Sequence, residues 1–302
     1  MRGKFLAHLS VILVVFAWGT SFISTKVLME DASLTPIECY IYRFGIAYLL
    51  ILAVTFKKIF ANNIKDELQF LMCGVCAGSM FYVLENTALQ YTTTGNVSLL
   101  SSLSPIITAG LMALIFRARI GAGLLIGSLV AFLGVGCIIF SHGDGFEINP
   151  LGDILSLLSA FAWAIYAVGV KRLVPVYNSL FITRKLFLYG VLTAAPLLWI
   201  GGAPTHLASI FTNASFLLNM LFLSVVCSLL SFAVWNYAMK SLGPVASNNY
   251  LYLQPLVTMI VAYFTLGEEI SFLGYLGCVL IIGGLIISDK LKISRRIHDV
   301  RK

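Results

Sequence analysis

The sequence predicts an all-α integral membrane protein of about ten transmembrane helices, arranged as two inverted five-helix repeats. Three observations predict it: ten apolar runs of membrane-spanning length, a one-sided distribution of basic residues over the loops between them, and a residue register that recurs after about 150 positions.

The first observation rests on composition. Of 302 residues, 59% are hydrophobic and 11% charged, with a mean hydropathy of +0.95. Soluble domains carry about a quarter charged residues, so a water-soluble fold of this size could not hide so much apolar surface. A spanning helix needs about 20 mostly apolar residues. Runs of that kind cover residues 8–28, 36–56, 68–89, 95–116, 120–140, 151–171, 180–200, 216–239, 245–266 and 271–288. Pro36 and Pro244 open helices, where a missing N–H costs nothing. Arg2 and Lys4 followed by an apolar run resemble a signal peptide. That run is too long for one and no small-residue cleavage pattern closes it, so it reads as a retained first helix.

The net charge of +7 does not indicate nucleic-acid binding, because the bases lie in short loops. With the N-terminus inside, the inner segments hold Arg2, Lys4, Lys57, Lys58, Lys65, Arg117, Arg119, Lys171, Arg172, Lys240, Lys290, Lys292, Arg295, Arg296, Arg301 and Lys302. The outer loops hold no base and carry Glu30, Asp31, Asp144, Glu147, Glu268 and Glu269. This positive-inside bias predicts a multi-pass protein of the cell (inner) membrane with both termini cytoplasmic. Lys26, Arg43, Arg184 and Lys185 fall inside helices; the last two are expected to face the cytoplasmic headgroups.

The third observation is the internal repeat. Phe16-Ala17-Trp18 recurs as Phe161-Ala162-Trp163, with Lys26 and Lys171 eight residues on. Asn86-Thr87-Ala88 recurs as Asn236-Tyr237-Ala238, and Pro105 and Pro255 follow the two asparagines at equal distance. Thr108 and Thr258 keep step, as do Gly127 and Gly134 with Gly277 and Gly284. Five helices per copy is an odd number, so the second copy enters the membrane from the opposite side. The chain divides into residues 1–143, 144–289 and a basic cytoplasmic tail, 290–302.

The order Asn-x-Ala-Leu, a small-residue turn, a mid-helix Pro and Leu266-Gly267-Glu268 before the last helix resembles the EamA family of the drug/metabolite transporter superfamily. The first copy departs at Phe116-Arg117-Ala118, where the acid is missing. The resemblance covers nearly the whole chain. It implies a ten-helix exporter or importer of small metabolites.

Pro105 and Pro255 lie about ten residues into their helices, near the midplane at about 1.5 Å per residue. Each frees the carbonyl four residues back, that of Ser101 or Leu251. Polar backbone at that depth suits the wall of a cavity; the alternative is a packing kink. Tyr250, Gln254, Asn86 and Asn236 add groups that bind polar solutes. Trp18 and Trp163 sit near mid-depth, away from the interfacial belts, and either stack on a substrate or pack on neighbours; Trp199 reads as a belt residue. Arg43 and Glu85 are charges in the outer half, expected to pair, Glu85 with Arg43 or Lys26. The glycines of the fifth and tenth runs suit scaffolding or homodimer formation.

These residues predict a secondary transporter, an exporter, of small metabolites such as amino acids, working by alternating access in the lipid bilayer without a cofactor. Proton coupling through Glu85 and uniport both remain open. The alternative is a membrane enzyme acting on lipid-linked substrates. The four histidines lie at helix ends, in loops or in the tail, and no HExxH, GxSxG or P-loop pattern occurs. Cys73-Gly74-Val75-Cys76 lacks the partners of a zinc or redox site, so its thiols read as buried and inert.

Overall fold

The computed structural model describes residues 2–88, 91–92, 94–118, 120–141, 149–200, 206–266 and 270–299. Leu266-Gly267-Glu268, the outer acids Asp144, Glu147, Glu268 and Glu269, Pro204, and the side chains of Lys26, Glu30 and Trp199 fall wholly or partly outside the described set.

The chain folds into helices with no strand among the described residues. The first half holds α1 (Arg2–Glu30), α2 (Pro36–Thr55), α3 (Ile64–Gly74), α4 (Phe81–Ala88), α5 (Thr94–Ser101), α6 (Ser104–Phe116) and α7 (Ala122–Ser141). The second holds α8 (Pro150–Val170), α9 (Ser179–Ile200), α10 (Ala214–Leu221), α11 (Ser231–Leu242), α12 (Pro244–Asn249), α13 (Leu253–Leu266) and α14 (Phe272–Asp299). Among the described residues eight helical stretches are long and apolar enough to cross a membrane, and Phe272–Ser288 is a shorter apolar one. Large apolar side chains such as Leu114, Phe264 and Val279 face outward, which suits lipid as the surrounding solvent.

Local chemistry sets the helix starts. Thr35 caps α2 in a reciprocal capping box with Glu38, and Pro36 occupies the first turn. Asn63, Asn149 and Asn213 cap α3, α8 and α10 through side-chain oxygens. Gly243, at φ +85°, separates α11 from α12.

Two runs expected as single kinked helices are broken. The run 95–116 becomes α5 and α6, interrupted at Ser102 and Leu103, so Pro105 stands at the start of α6. The run 245–266 becomes α12, a 3₁₀ turn Tyr250–Tyr252, and α13. Proline removes a donor and crowds the preceding turn, and a tighter turn absorbs the change better than a bend. Counted from the two asparagines, the breaks overlap at one position, that of Ser102 and Tyr252.

A second matched departure lies between α3 and α4 and between α10 and α11. There the spans wind into π-helix, over Val75–Met80 and Phe222–Leu230. The first π segment packs on α9 and the second on α2. A Cβ on Gly74 would lie 2.7 Å from Tyr189 Cβ, and one on Gly78 would lie 3.0 Å from Gly190 Cα, so only glycine admits this approach.

The longest helix contact is α7 against α14. A Cβ on Gly127 would meet the Gly284 carbonyl oxygen at 2.4 Å, and one on Gly284 would meet that of Gly127 at 2.4 Å. Gly134 and Gly277 exchange the same contact at 2.7 and 2.6 Å. These four glycines therefore serve packing within the chain. Lipid supplies no hydrophobic drive between helices, so the pairing rests on close backbone approach. Gly136, on the same helix, has open space around its Cβ position. Gly134→Val should lower thermal stability in detergent by about 1–3 kcal/mol, whereas Gly136→Val should be close to neutral; equal melting temperatures for both variants would remove this packing argument.

Candidate functional site

Helices α1 and α8 cross the centre of the bundle and bring Trp18 and Trp163 edge to face, with ring centroids 5.6 Å apart. Both are buried. Trp18 also meets Trp235 at 5.1 Å and Phe232 at 5.4 Å, and Trp163 meets Phe81 at 5.2 Å and Tyr166 at 5.1 Å. The rings continue through Phe187 and Phe44 to Tyr82 and Tyr40. The two tryptophans thus stack mainly on protein in this conformation.

Each indole N–H finds an acceptor in the second half, Trp18 on a backbone carbonyl and Trp163 on a side-chain amide. Trp18 Nε1 donates to the Cys227 carbonyl, inside the π segment, at 2.8 Å. Trp163 Nε1 donates to Asn248 Oδ1 at 3.2 Å, and Asn248 Nδ2 donates to Thr108 Oγ1 at 2.7 Å. Asn236 is a buried hub: its amide donates to Thr183 Oγ1 at 3.1 Å and to the Phe232 carbonyl at 2.9 Å, and its oxygen accepts from Tyr166. Thr258 donates to the Gly19 and Gln254 carbonyls, both at 3.1 Å, tying α13 to α1 beside Trp18. Tyr250 shares a 2.6 Å hydrogen bond with His8. Pro105 is buried and Pro255 half-buried, each in the first turn of its second half-helix.

The expected pairing of Arg43 with Glu85 does not occur. Arg43 Nε donates to Ser228 Oγ at 2.7 Å, and Ser101 Oγ donates to Glu85 Oε1 at 3.5 Å. The reason is direction: Arg43 turns toward the second π segment, whereas Glu85 turns toward α5. Asn86 lines a small cleft with Tyr40, Tyr82 and Val83.

Arg184 and Lys185 also depart from expectation. They are buried rather than turned to headgroups. Lys185 pairs with Glu67, which also accepts from Tyr189. Arg184 donates to the carbonyls of Thr55, Lys58 and Ile59, closing the C-terminus of α2. Their position one turn inside α9 suggested a surface role, but the acid on α3 and the loose carbonyls after α2 draw them inward. At the opposite end of the bundle His206 Nδ1 lies 3.2 Å from Glu38 Oε2. The Lys185–Glu67 ion pair therefore joins α9 to α3, and the Glu38–His206 contact joins α2 to the segment before α10.

Trp235, Phe232, Tyr166, Thr183 and Ser228 were not singled out by the sequence. Only Trp235 and Phe232 had a signal there, through their fixed distances from Asn236.

The EamA-like transporter family model matches residues 5–140 and 150–288. The chain belongs to the EamA-like transporter family. A relative from Archaeoglobus fulgidus named an uncharacterized transporter is 29% identical over 286 residues, covering 93% of this chain and 96% of its own. Another EamA-like relative, from Streptantibioticus cattleyicolor, is named a probable terminal-alkyne amino-acid exporter; it is 25% identical and covers 95% and 94% of the two chains. A solved crystal structure superposes with a TM-score of 0.78 over 96% of this chain and 98% of its own, at 18% identity, so the two share a fold.

The Lys185–Glu67 pair, with Lys185 buried and Glu67 half-buried, yields a direct test of the site's construction. Lys185→Met should destabilise the folded protein by about 1–3 kcal/mol, because it removes the cation from a carboxylate that keeps only its neutral donors. Adding Glu67→Gln should recover most of that loss in thermal denaturation; no recovery would mean that the two side chains do not act as a pair.

Proposed function

We propose that this EamA-like protein is an exporter of small metabolites such as amino acids, operating by alternating access between two inverted repeats, residues 1–143 and 144–289. Both termini lie in the cytoplasm, as the loop charges require. One observation carries the reading: the π segments and the broken helices recur at equivalent positions in both halves and converge on the Trp18–Trp163 contact. A continuous α-helix satisfies its own backbone, so irregular winding at membrane depth is tolerated where it borders protein or a wet path. Matched irregularities on both sides of a centre let one half rock against the other.

Two supports are independent of that geometry. The reciprocal contacts Gly127 to Gly284 and Gly134 to Gly277 are those that a two-fold relation between the halves generates. The name of the Streptantibioticus cattleyicolor relative supports amino acids as solutes and export as direction. In this reading the Lys185–Glu67 and Glu38–His206 pairs are latches at the inner and outer ends. The enzyme alternative is disfavoured because the relatives are named transporters.

The purified protein in proteoliposomes should exchange internal labelled amino acids for external unlabelled ones. Acceleration by an imposed pH gradient would indicate proton coupling, and indifference to it uniport. Pro105→Ala and Pro255→Ala should slow exchange more than they lower folded yield. Exchange at the background rate for every solute in a broad metabolite panel would sink the transport reading.

A further inference from the structure

Arg43 and Glu85 occupy the outer half of the first repeat without forming a salt bridge to each other. Arg43 is 5% exposed. Its guanidinium carbon lies 5.1 Å from the Phe44 ring centroid and 5.7 Å from that of Tyr82. Among the described residues no carboxylate lies within 4.0 Å of its nitrogens, and no cation lies within 4.0 Å of Glu85. Two opposite charges near one another in a medium of low dielectric ordinarily close to contact, because contact offsets the cost of desolvating each. Here Ser228 holds one and Ser101 the other. Tyr82 lies beside the guanidinium, and Glu85 follows it by one helical turn.

The second repeat carries no charge at the matching positions. Counted from the repeated asparagine, Trp235 stands where the first repeat has Glu85, and Phe232 where it has Tyr82. Phe187 meets Phe232 as Phe44 meets Tyr82, which sets Leu186 opposite Arg43. One half of the centre is therefore charged and the other apolar. On the apolar side Trp235 Nε1 is fully buried and has no hydrogen-bond partner among the described residues, a group that ordinarily finds one. The cleft lined by Tyr40, Tyr82, Val83 and Asn86 lies between the two helices that carry the charges.

We propose that Arg43 and Glu85 together form a zwitterion site, Arg43 receiving the carboxylate and Glu85 the ammonium of an α-amino acid whose side chain turns toward the aromatic half. The inference rests on the transport reading above. A guanidinium offers a forked pair of donors that matches a carboxylate. An α-amino acid carries both charges on groups bonded to one carbon, so it offsets both desolvation costs at once. A monoanion or a monocation leaves one charge unanswered.

The test uses the full chain in proteoliposomes loaded with labelled leucine or phenylalanine. Competitors are the parent amino acid, the amine lacking the carboxylate (isopentylamine, phenethylamine) and the acid lacking the ammonium (4-methylpentanoate, 3-phenylpropionate). The parent should compete about tenfold or more better than either analogue. Arg43→Gln should abolish the preference over the amine alone, and Glu85→Gln the preference over the acid alone. Arg43→Lys keeps the charge and guards against misfolding; it should retain part of the carboxylate preference. Analogues that compete as well as the parent would overturn the proposal, as would variants that shift both preferences alike. An acid that matches the parent would mean that Arg43 serves a simple anion. Exchange of other metabolites but of no amino acid would sink this inference and leave the transport reading intact.

Discussion

Every backbone N–H and C=O in a bilayer needs a partner inside the protein, and the rest of this structure depends on that constraint. Regular helix meets it everywhere along the lipid-facing wall. Where the chain leaves the α-helix, other groups take over. Trp18 binds the Cys227 carbonyl in one π segment, and the Ser231 hydroxyl binds the Val226 carbonyl of the same segment. Thr258 binds two carbonyls beside the second break. The irregular segments are thus gathered around the centre, and the aromatic cluster covers them.

Packing serves the same arrangement. The α7–α14 pair lies apart from the main aromatic core and has its own small apolar cluster around Val135, Ile138 and Ile281. It ties the two halves together through glycine contacts while leaving the centre to other helices. The Lys185–Glu67 and Glu38–His206 contacts at the two ends lie outside the aromatic centre, so a rearrangement at either end need not disturb the glycine seam.

Much of the architecture was legible in the sequence, because helix length and loop charge report directly on the bilayer. The repeat register matched Trp18 to Trp163 and Pro105 to Pro255, but it did not foretell that the two indoles touch. The π windings were not legible: Val75–Met80 and Phe222–Leu230 are as apolar as their neighbours, and nothing local marks the change of pitch. Side-chain direction was also hidden. Arg43 and Glu85 sit at similar depth on nearby helices, which suggested a pair, but the turn of each helix sends one to Ser228 and the other to Ser101. Lys185 misled for a related reason, because its partner Glu67 is 118 residues away.

The central claim is that the two ends open in alternation. Its most direct measurement is a pair of spin-label distances in the full chain, with the half-exposed Cys137 and Cys278 replaced by alanine. Labels at Lys65 and Val176 report the end held by Lys185 and Glu67, and labels at Asp31 and Thr212 report the end held by Glu38 and His206. The account predicts reciprocal changes on adding leucine to the protein in lipid: one distance lengthens as the other shortens. Two distances that stay fixed, or that lengthen together, would contradict it.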